Sequence, residues 1–297
     1  MSKLRSLAVL TTLATLATLA IAVTGLTTSA SASGVVEKHP AAAIYSSLVQ
    51  KPGNLPSVGA EAYSFSEFGN QVTFAGTNRH LTRAVVTLSS WGCSSGSWTS
   101  GNCSTPAGAT FTEPITLNVY NPSPDGINPG ALITSVTQTF AIPYRPSAST
   151  KCTGAQVGEW YDNGHKSCFN GKAVNVTFTI GGTVPGSVVY GIAYNTSHYG
   201  YHPYGSSTAC YTSAGGCGYD SLNIGLSQDP ANVKVGLDTR PGTVWQNAAF
   251  ASDYCDSPSG TTGTFRLDSP ATASCWGVNS PSSAPFYVPA IQFTAVR

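Results

Sequence analysis

Val174-Asn175-Val176-Thr177-Phe178-Thr179-Ile180 alternates apolar and polar side chains without a break. Successive side chains of a β-strand point to opposite faces. The stretch therefore reads as a strand with Val174, Val176, Phe178 and Ile180 on a buried face and Asn175, Thr177 and Thr179 toward water. The same period recurs on both sides of it. Upstream, Val72 and Phe74 alternate about Thr73, and Ile115, Leu117 and Val119 alternate with Thr116 and Asn118. Downstream, Leu222, Ile224 and Leu226 alternate with Asn223 and Gly225, and Val233, Val235 and Leu237 with Lys234 and Gly236.

Further strand-like runs cover 63–68, 82–91, 132–142, 187–194, 263–267 and 286–295. Turn clusters such as Asn121-Pro122-Ser123-Pro124-Asp125-Gly126 and Ser257-Pro258-Ser259-Gly260 punctuate the chain. No segment beyond the N-terminal region carries an apolar stripe of helical period. Half-buried strands suit antiparallel sheets packed face to face. The expectation is an all-β chain, an antiparallel β-sandwich of jelly-roll type. Pro289 cannot donate to a ladder, so an edge or a bulge is expected there.

The N-terminus reads differently. Lys3 and Arg5 precede an apolar run from Leu7 to Val23, and Ala30 and Ala32 supply small residues for cleavage. This is the pattern of a secretory signal peptide over residues 1–32, cut after Ala32. Residues 33–58 read as a leader segment and 59–297 as a single domain. The chain is expected to be secreted, extracellular and monomeric, with no membrane association after signal cleavage.

Composition narrows the partners. The chain has 14 basic and 13 acidic side chains, and charged residues make up 9%, against about 25% in typical proteins. Such a chain has no electrostatic grip on nucleic acid or anionic membranes. Eight cysteines fall as four couples, Cys93 and Cys103, Cys152 and Cys168, Cys210 and Cys217, Cys255 and Cys275. In an oxidising compartment an even number implies disulfides. The close spacing, with Gly, Ser, Asn or Asp inside each couple, predicts four local staples. Zinc needs Cys-x-x-Cys or Cys/His spacing, which is absent, so neither a metal nor a cofactor is expected.

Several segments carry a likeness. Ser66-Glu67-Phe68-Gly69-Asn70-Gln71-Val72 leads into Ala75-Gly76-Thr77-Asn78-Arg79 and Leu88-Ser89-Ser90-Trp91-Gly92-Cys93. Thr137-Gln138-Thr139-Phe140-Ala141-Ile142-Pro143-Tyr144-Arg145 and Gly191-Ile192-Ala193-Tyr194-Asn195-Thr196 follow. This resembles a group of secreted bacterial proteins with a β-sandwich-like body and no established activity. The resemblance implies that fold and transfers no catalytic residue.

Candidate chemistry is sparse. Tyr219-Asp220-Ser221-Leu222 is close to the Asp-Ser-Leu of one esterase class, but Tyr219 stands where that class has Gly. His198 and His202 form a His-x3-His pair in loop-like sequence, with no acid beside them to complete a metal set. Glu61, Glu67, Glu113, Glu159, Asp162 and Asp220 qualify by type for a carboxylate pair. No catalytic residue is assigned.

Aromatic density is the concentrated signal. Of 14 tyrosines, Tyr190, Tyr194, Tyr199, Tyr201, Tyr204, Tyr211 and Tyr219 fall within thirty positions. Tyr190 and Tyr194 alternate as core residues of a strand. Tyr199, Tyr201 and Tyr204 are interleaved with Gly200, His202, Pro203 and Gly205, which is loop chemistry. Rigid aromatics on a stapled loop suit binding, because little side-chain entropy is lost on contact. Tyr199, Tyr201, His202, Tyr204 and Tyr211 are the expected ligand contacts. The expected function is a non-catalytic binding or surface-interaction module, with a polysaccharide or cell-surface glycan as partner. The alternative is a secreted hydrolase of glycosidase or esterase type with a loop-built site.

Overall fold

A computed structural model describes residues 40–60, 62–98, 100–194, 222–256, 261–268, 276 and 285–297. Over these residues the chain is nearly all β, with two antiparallel sheets of seven strands packed together. Its only helical pieces there are two short 3-10 turns.

The first sheet is built around β4 (His80–Ser90). On one side β4 pairs with β9 (Lys172–Thr179) over their shared length, from Arg83 opposite Thr179 to Ser90 opposite Lys172. On the other side β16 (Ile291–Val296) and β11 (Leu222–Asp229) share its edge end to end. Beyond β16 lies β1 (Ala42–Ser46), and β2 (Ser57–Gly59) and β15 (Phe286–Pro289) flank β11. Strand β1 thus docks part of the segment read as a leader against the C-terminal strand.

The second sheet runs in the order β6 (Pro129–Pro143), β5 (Thr110–Pro122), β10 (Ser187–Tyr194), β3 (Glu67–Thr73). The free edge of β3 takes β12 (Leu237–Asp238) and β13 (Val244–Gln246), and β14 (Arg266–Asp268) follows β13. A separate hairpin joins β7 (Trp160–Asp162) to β8 (Ser167–Phe169).

The alternation places the core. Val176, Phe178 and Ile180 are buried while Asn175, Thr177 and Thr179 are exposed. Phe178 meets Phe140 of the second sheet edge-on, with ring centroids 5.0 Å apart. Tyr190 meets Phe293 across the same interior at 5.5 Å. Each such side chain contributes about 1.5–3 kcal/mol by leaving water. Strand β10 departs from simple alternation, because both its faces are buried. Its outer-facing Val189 packs with Trp245, Phe265 and Leu267 in a second, smaller cluster.

Four expected strands come out differently, one of them the run 263–267, where β14 opens only at Arg266. The run 63–68 starts late, since Tyr63 and Ser64 form a turn and β3 opens at Glu67. The run 233–237 shortens to β12, because Gly236 adopts φ 73° and packs its bare α-carbon against Tyr45 and Thr73. The run 286–295 divides at Ala290, just after Pro289, into β15 and β16, which pair with different strands. The expected turn at Asp125-Gly126 closes the β5–β6 hairpin. Asp125 Oδ1 accepts from the backbone N–H groups of Ile127 and Asn128 at 2.8 and 3.0 Å.

Candidate functional site

The expected contacts Tyr199, Tyr201, His202, Tyr204 and Tyr211 lie outside the described residues, as do Cys210, Cys217 and Cys275. Glu61, His198, Asp220 and Ser221 lie outside them too. Tyr190 and Tyr194 are buried in β10, where strand packing placed them.

A site does take shape elsewhere. The exit of β4, the entry of β5, the exit of β6 and the entry of β9 gather two long loops. Cys93–Cys103 staples the first, with Cα atoms 5.4 Å apart, and Cys152–Cys168 the second, at 5.8 Å. Both pairs follow the spacing in the sequence. Cys255 is disulfide-bonded as well.

Arg145, two residues after β6 and fully buried, ties the two loops together. Its backbone N–H donates to Gly92 O at 2.9 Å, beside the first staple. Its Nη2 donates to Gly158 O at 2.9 Å, in the second loop. Ala148 N–H donates to Cys103 O at 2.9 Å and Ser149 N–H to Glu159 O at 2.8 Å. Gly101 and Gly158 then meet with no side chain between them, at φ 65° and 90°.

Between the joined loops lies a cleft of about 250 Å³, lined by Trp98, Ala155, Val157, Gly158, Glu159 and Asn170. Trp98 is held on two sides. Its Nε1 donates to Asn170 Oδ1 at 3.1 Å. Its ring stands at 68° to that of Trp91, with centroids 4.8 Å apart. Trp91 in turn donates from Nε1 to Ser89 Oγ at 3.2 Å. Gly171 makes room for it, since a β-carbon there would lie 2.6 Å from Trp91 Nε1. The backbone N–H of Asn170 donates to Asn54 Oδ1 at 3.2 Å. The wall is therefore an aromatic ring in a set orientation, flanked by an amide.

Glu159 supplies the acid of the cleft. Its Oε2 is shut off from solvent and accepts no hydrogen bond. The next residue, Trp160, turns inward and donates from Nε1 to Gly171 O at 3.2 Å. Lys172 Nζ rests 5.0 Å over the Trp160 ring and Lys151 Nζ 4.5 Å over Tyr161.

Two other acids stand in unusual surroundings. Glu67 reaches across Gly191 on the outer face of the second sheet. There Oε1 accepts from Asn118 Nδ2 at 2.9 Å and from Tyr120 Oη at 3.0 Å. Burial pushes the Glu67 carboxyl up, against the pull of those two donors. Asp238 lies between the sheets, and burial pushes it up to about 7. Near it lie the buried hydroxyls of Tyr45 and Tyr190 and the Asn70 amide, whose pull on the carboxyl is weaker than the effect of burial. Of the other candidate acids, Glu113 is buried in β5 and Asp162 pairs with His165.

Sequence reading missed Trp98 and Asn170, and it named Glu159 by residue type alone. A usable signal was present: Trp98 sits among Ser and Gly inside a cysteine couple, the same loop chemistry that drew attention to the tyrosines.

Compared with family models, with curated proteins and with solved structures, the chain finds no match. The function must therefore be argued from the cleft.

Proposed function

We propose that the chain is a secreted, non-catalytic binding module whose cleft takes a carbohydrate of a polysaccharide or cell surface. One observation carries the reading. Trp98 is immobilised by a hydrogen bond and a ring contact in a surface cleft walled by two disulfide-stapled loops. Sugar rings present apolar C–H faces and hydroxyl edges. A tryptophan face, an amide and a carboxylate match that pattern, and the rigid wall keeps the ordering cost of binding low. Export is supported by the pattern of residues 1–32 and by disulfides that persist in oxidising compartments. No helix among the described residues is long and apolar enough to cross a membrane.

The test is a pull-down of the chain from Ser33 onward on insoluble polysaccharides and bacterial cell walls, beside general glycosidase and esterase assays. Retention that Trp98→Ala abolishes supports the cleft. Retention lost instead on Tyr201→Ala would move the site to the tyrosine-rich segment.

A hydrolase is the second reading, and Glu67 is the observation in its favour. It is a half-buried carboxyl with its protonation favoured and two neighbours to orient it. Turnover of a glycoside or ester that Glu67→Gln abolishes would establish it. Asp238 offers no comparable support, being sealed between the sheets and out of reach of substrate.

A further inference from the structure

We infer that two copies of this chain pair along β6, antiparallel about a two-fold axis at Gln138, so that the second sheet runs on from one molecule into the other. This goes beyond the carbohydrate reading and does not depend on it. The observation is a strand edge left open. Strand β6 ends the second sheet and pairs with β5 alone. It is 15 residues long and carries no charged side chain. Between Ile133 and Ile142 its main-chain groups on the side away from β5 meet no other group among the described residues. Ser135, Thr137, Thr139 and Ala141 are exposed along it.

The other edges are short or covered. On β1, Ile44 O accepts from Ala75 N–H at 2.8 Å, and Ser46 bridges to Val235. Strand β15 has 4 residues and ends at Pro289. Strand β14 has 3, among them Arg266 and Asp268, and Leu267 N–H donates to Ile127 O at 2.8 Å. Strand β9 opens with Lys172, and its Thr179 N–H donates to Gln138 Oε1 at 2.8 Å. Short strands, charges and proline are the devices that keep sheet edges from pairing with other chains. The middle of β6 has none of them.

The shape of the strand selects a second copy as its occupant. Strand β6 bulges at Ile133, because Val119 faces Thr134 while Tyr120 faces Leu132. At the other end Pro143 has no N–H to donate. The regular segment between them, Thr134 to Ile142, has Gln138 at its midpoint. A two-fold axis there lays the segment on itself, as a self-complementary interface requires. Val136 then lies opposite Phe140 on the inner face, and Thr137 opposite Thr139 on the outer one. Aromatic with β-branched and Thr with Thr are favourable cross-strand pairs, and no like charges meet. Val136 and Phe140 are only partly buried against the core of one molecule, so pairing extends their burial. The segment runs about 30 Å at about 3.4 Å per residue, and two sheets about 10 Å apart with their outer side chains make a flank about 20 Å deep. That is roughly 600 Å² per copy, about 1,200 Å² in all, the lower end of specific interfaces.

The experiment is sedimentation equilibrium of the chain from Ser33 with its disulfides intact. The mass should be that of one chain near about 1 µM and approach that of two near about 100 µM, as suits a small interface. Thr137→Lys with Thr139→Lys sets like charges directly opposite across the axis and should weaken association at least about tenfold. Thr137→Lys with Thr139→Glu sets opposite charges there, because position 137 faces position 139 of the second copy. It should restore association to within about threefold of the native chain. Hydrogen exchange of the native chain needs no variant: the segment 134–142 should exchange more slowly as concentration rises. A single-chain mass throughout, or exchange of that segment that ignores concentration, overturns the pairing. A dimer that withstands the two lysines overturns it too, as does equal loss in both double variants.

Discussion

Gly158 turns its bare α-carbon onto Gly101: a β-carbon added at Gly158 would lie 2.6 Å from the Gly101 α-carbon. Gly158 also holds φ 90°, which side chains rarely adopt. Its carbonyl is the acceptor for Arg145. This contact joins the two stapled loops together with the hydrogen bonds of Arg145 and Ala148, and the cleft lies between the loops so joined.

Gly158→Ala should therefore destabilise the chain by about 2 kcal/mol or more, from backbone strain and the clash together. Urea unfolding measures it. Gly154→Ala is the control, because Gly154 has φ 61° with nothing near its β-position. It carries the strain without the clash and should cost about 1–2 kcal/mol. Equal losses for the two would remove the role assigned to the Gly101 contact.

Replacing Cys93 and Cys103 by Ala opens a staple of sequence separation 10. Chain entropy alone sets the loss at about 3 kcal/mol, with wide scatter. The melting temperature should fall, and any sugar retention should fall with it, since Trp98 lies inside the opened loop. Thermal unfolding of the reduced and the oxidised chain checks the first part directly. A reduced chain that melts with the oxidised one would show that the staples do not carry stability.

Stability should decline as pH rises from about 4 to about 7. Burial raises Asp238 to about 7 in the folded chain, against about 3.9 unfolded. The folded state thus holds a proton that the unfolded state releases across that window, and deprotonation costs stability until pH passes about 7. Burial moves Glu67, Asp229 and Asp268 in the same direction. Asp238→Asn keeps the acceptor that Arg240 N–H uses at 3.0 Å. It should stabilise the chain above pH 7 by about 2 kcal/mol and flatten the slope. Denaturant midpoints at pH 4.5 and 8 decide it, and an unchanged slope in the variant would exclude Asp238 as its source.

Tyr120→Phe removes one of the two donors on Glu67 Oε1. The carboxylate loses a stabilising hydrogen bond, so the Glu67 pKa should rise further. Carbon-detected NMR titration of the carboxyl reads this residue by residue. Gly191→Ala should displace the whole arrangement, because the new β-carbon would lie 2.0 Å from Glu67 Oε1. A Glu67 titration that ignores both changes would mean that the carboxylate is not held where it stands.

By itself the sequence determined the all-β class and the pairing of Cys93 with Cys103 and Cys152 with Cys168. Both are local facts. Alternation from Val174 to Ile180 involves neighbours two positions apart, and each cysteine couple spans one loop. Tertiary structure decided the rest. Trp98 and Glu159 line one cleft because the β5–β6 hairpin returns the chain to the end where β4 left it, and buried Arg145 then ties the loops. Asp238 becomes buried because the bend at Gly236 lays β12 on the edge of β3. The run 286–295 reads as one strand, yet it divides at Ala290 because its halves find partners on different strands. Such outcomes depend on register between segments far apart in the chain, and a residue's own neighbours carry no record of that register.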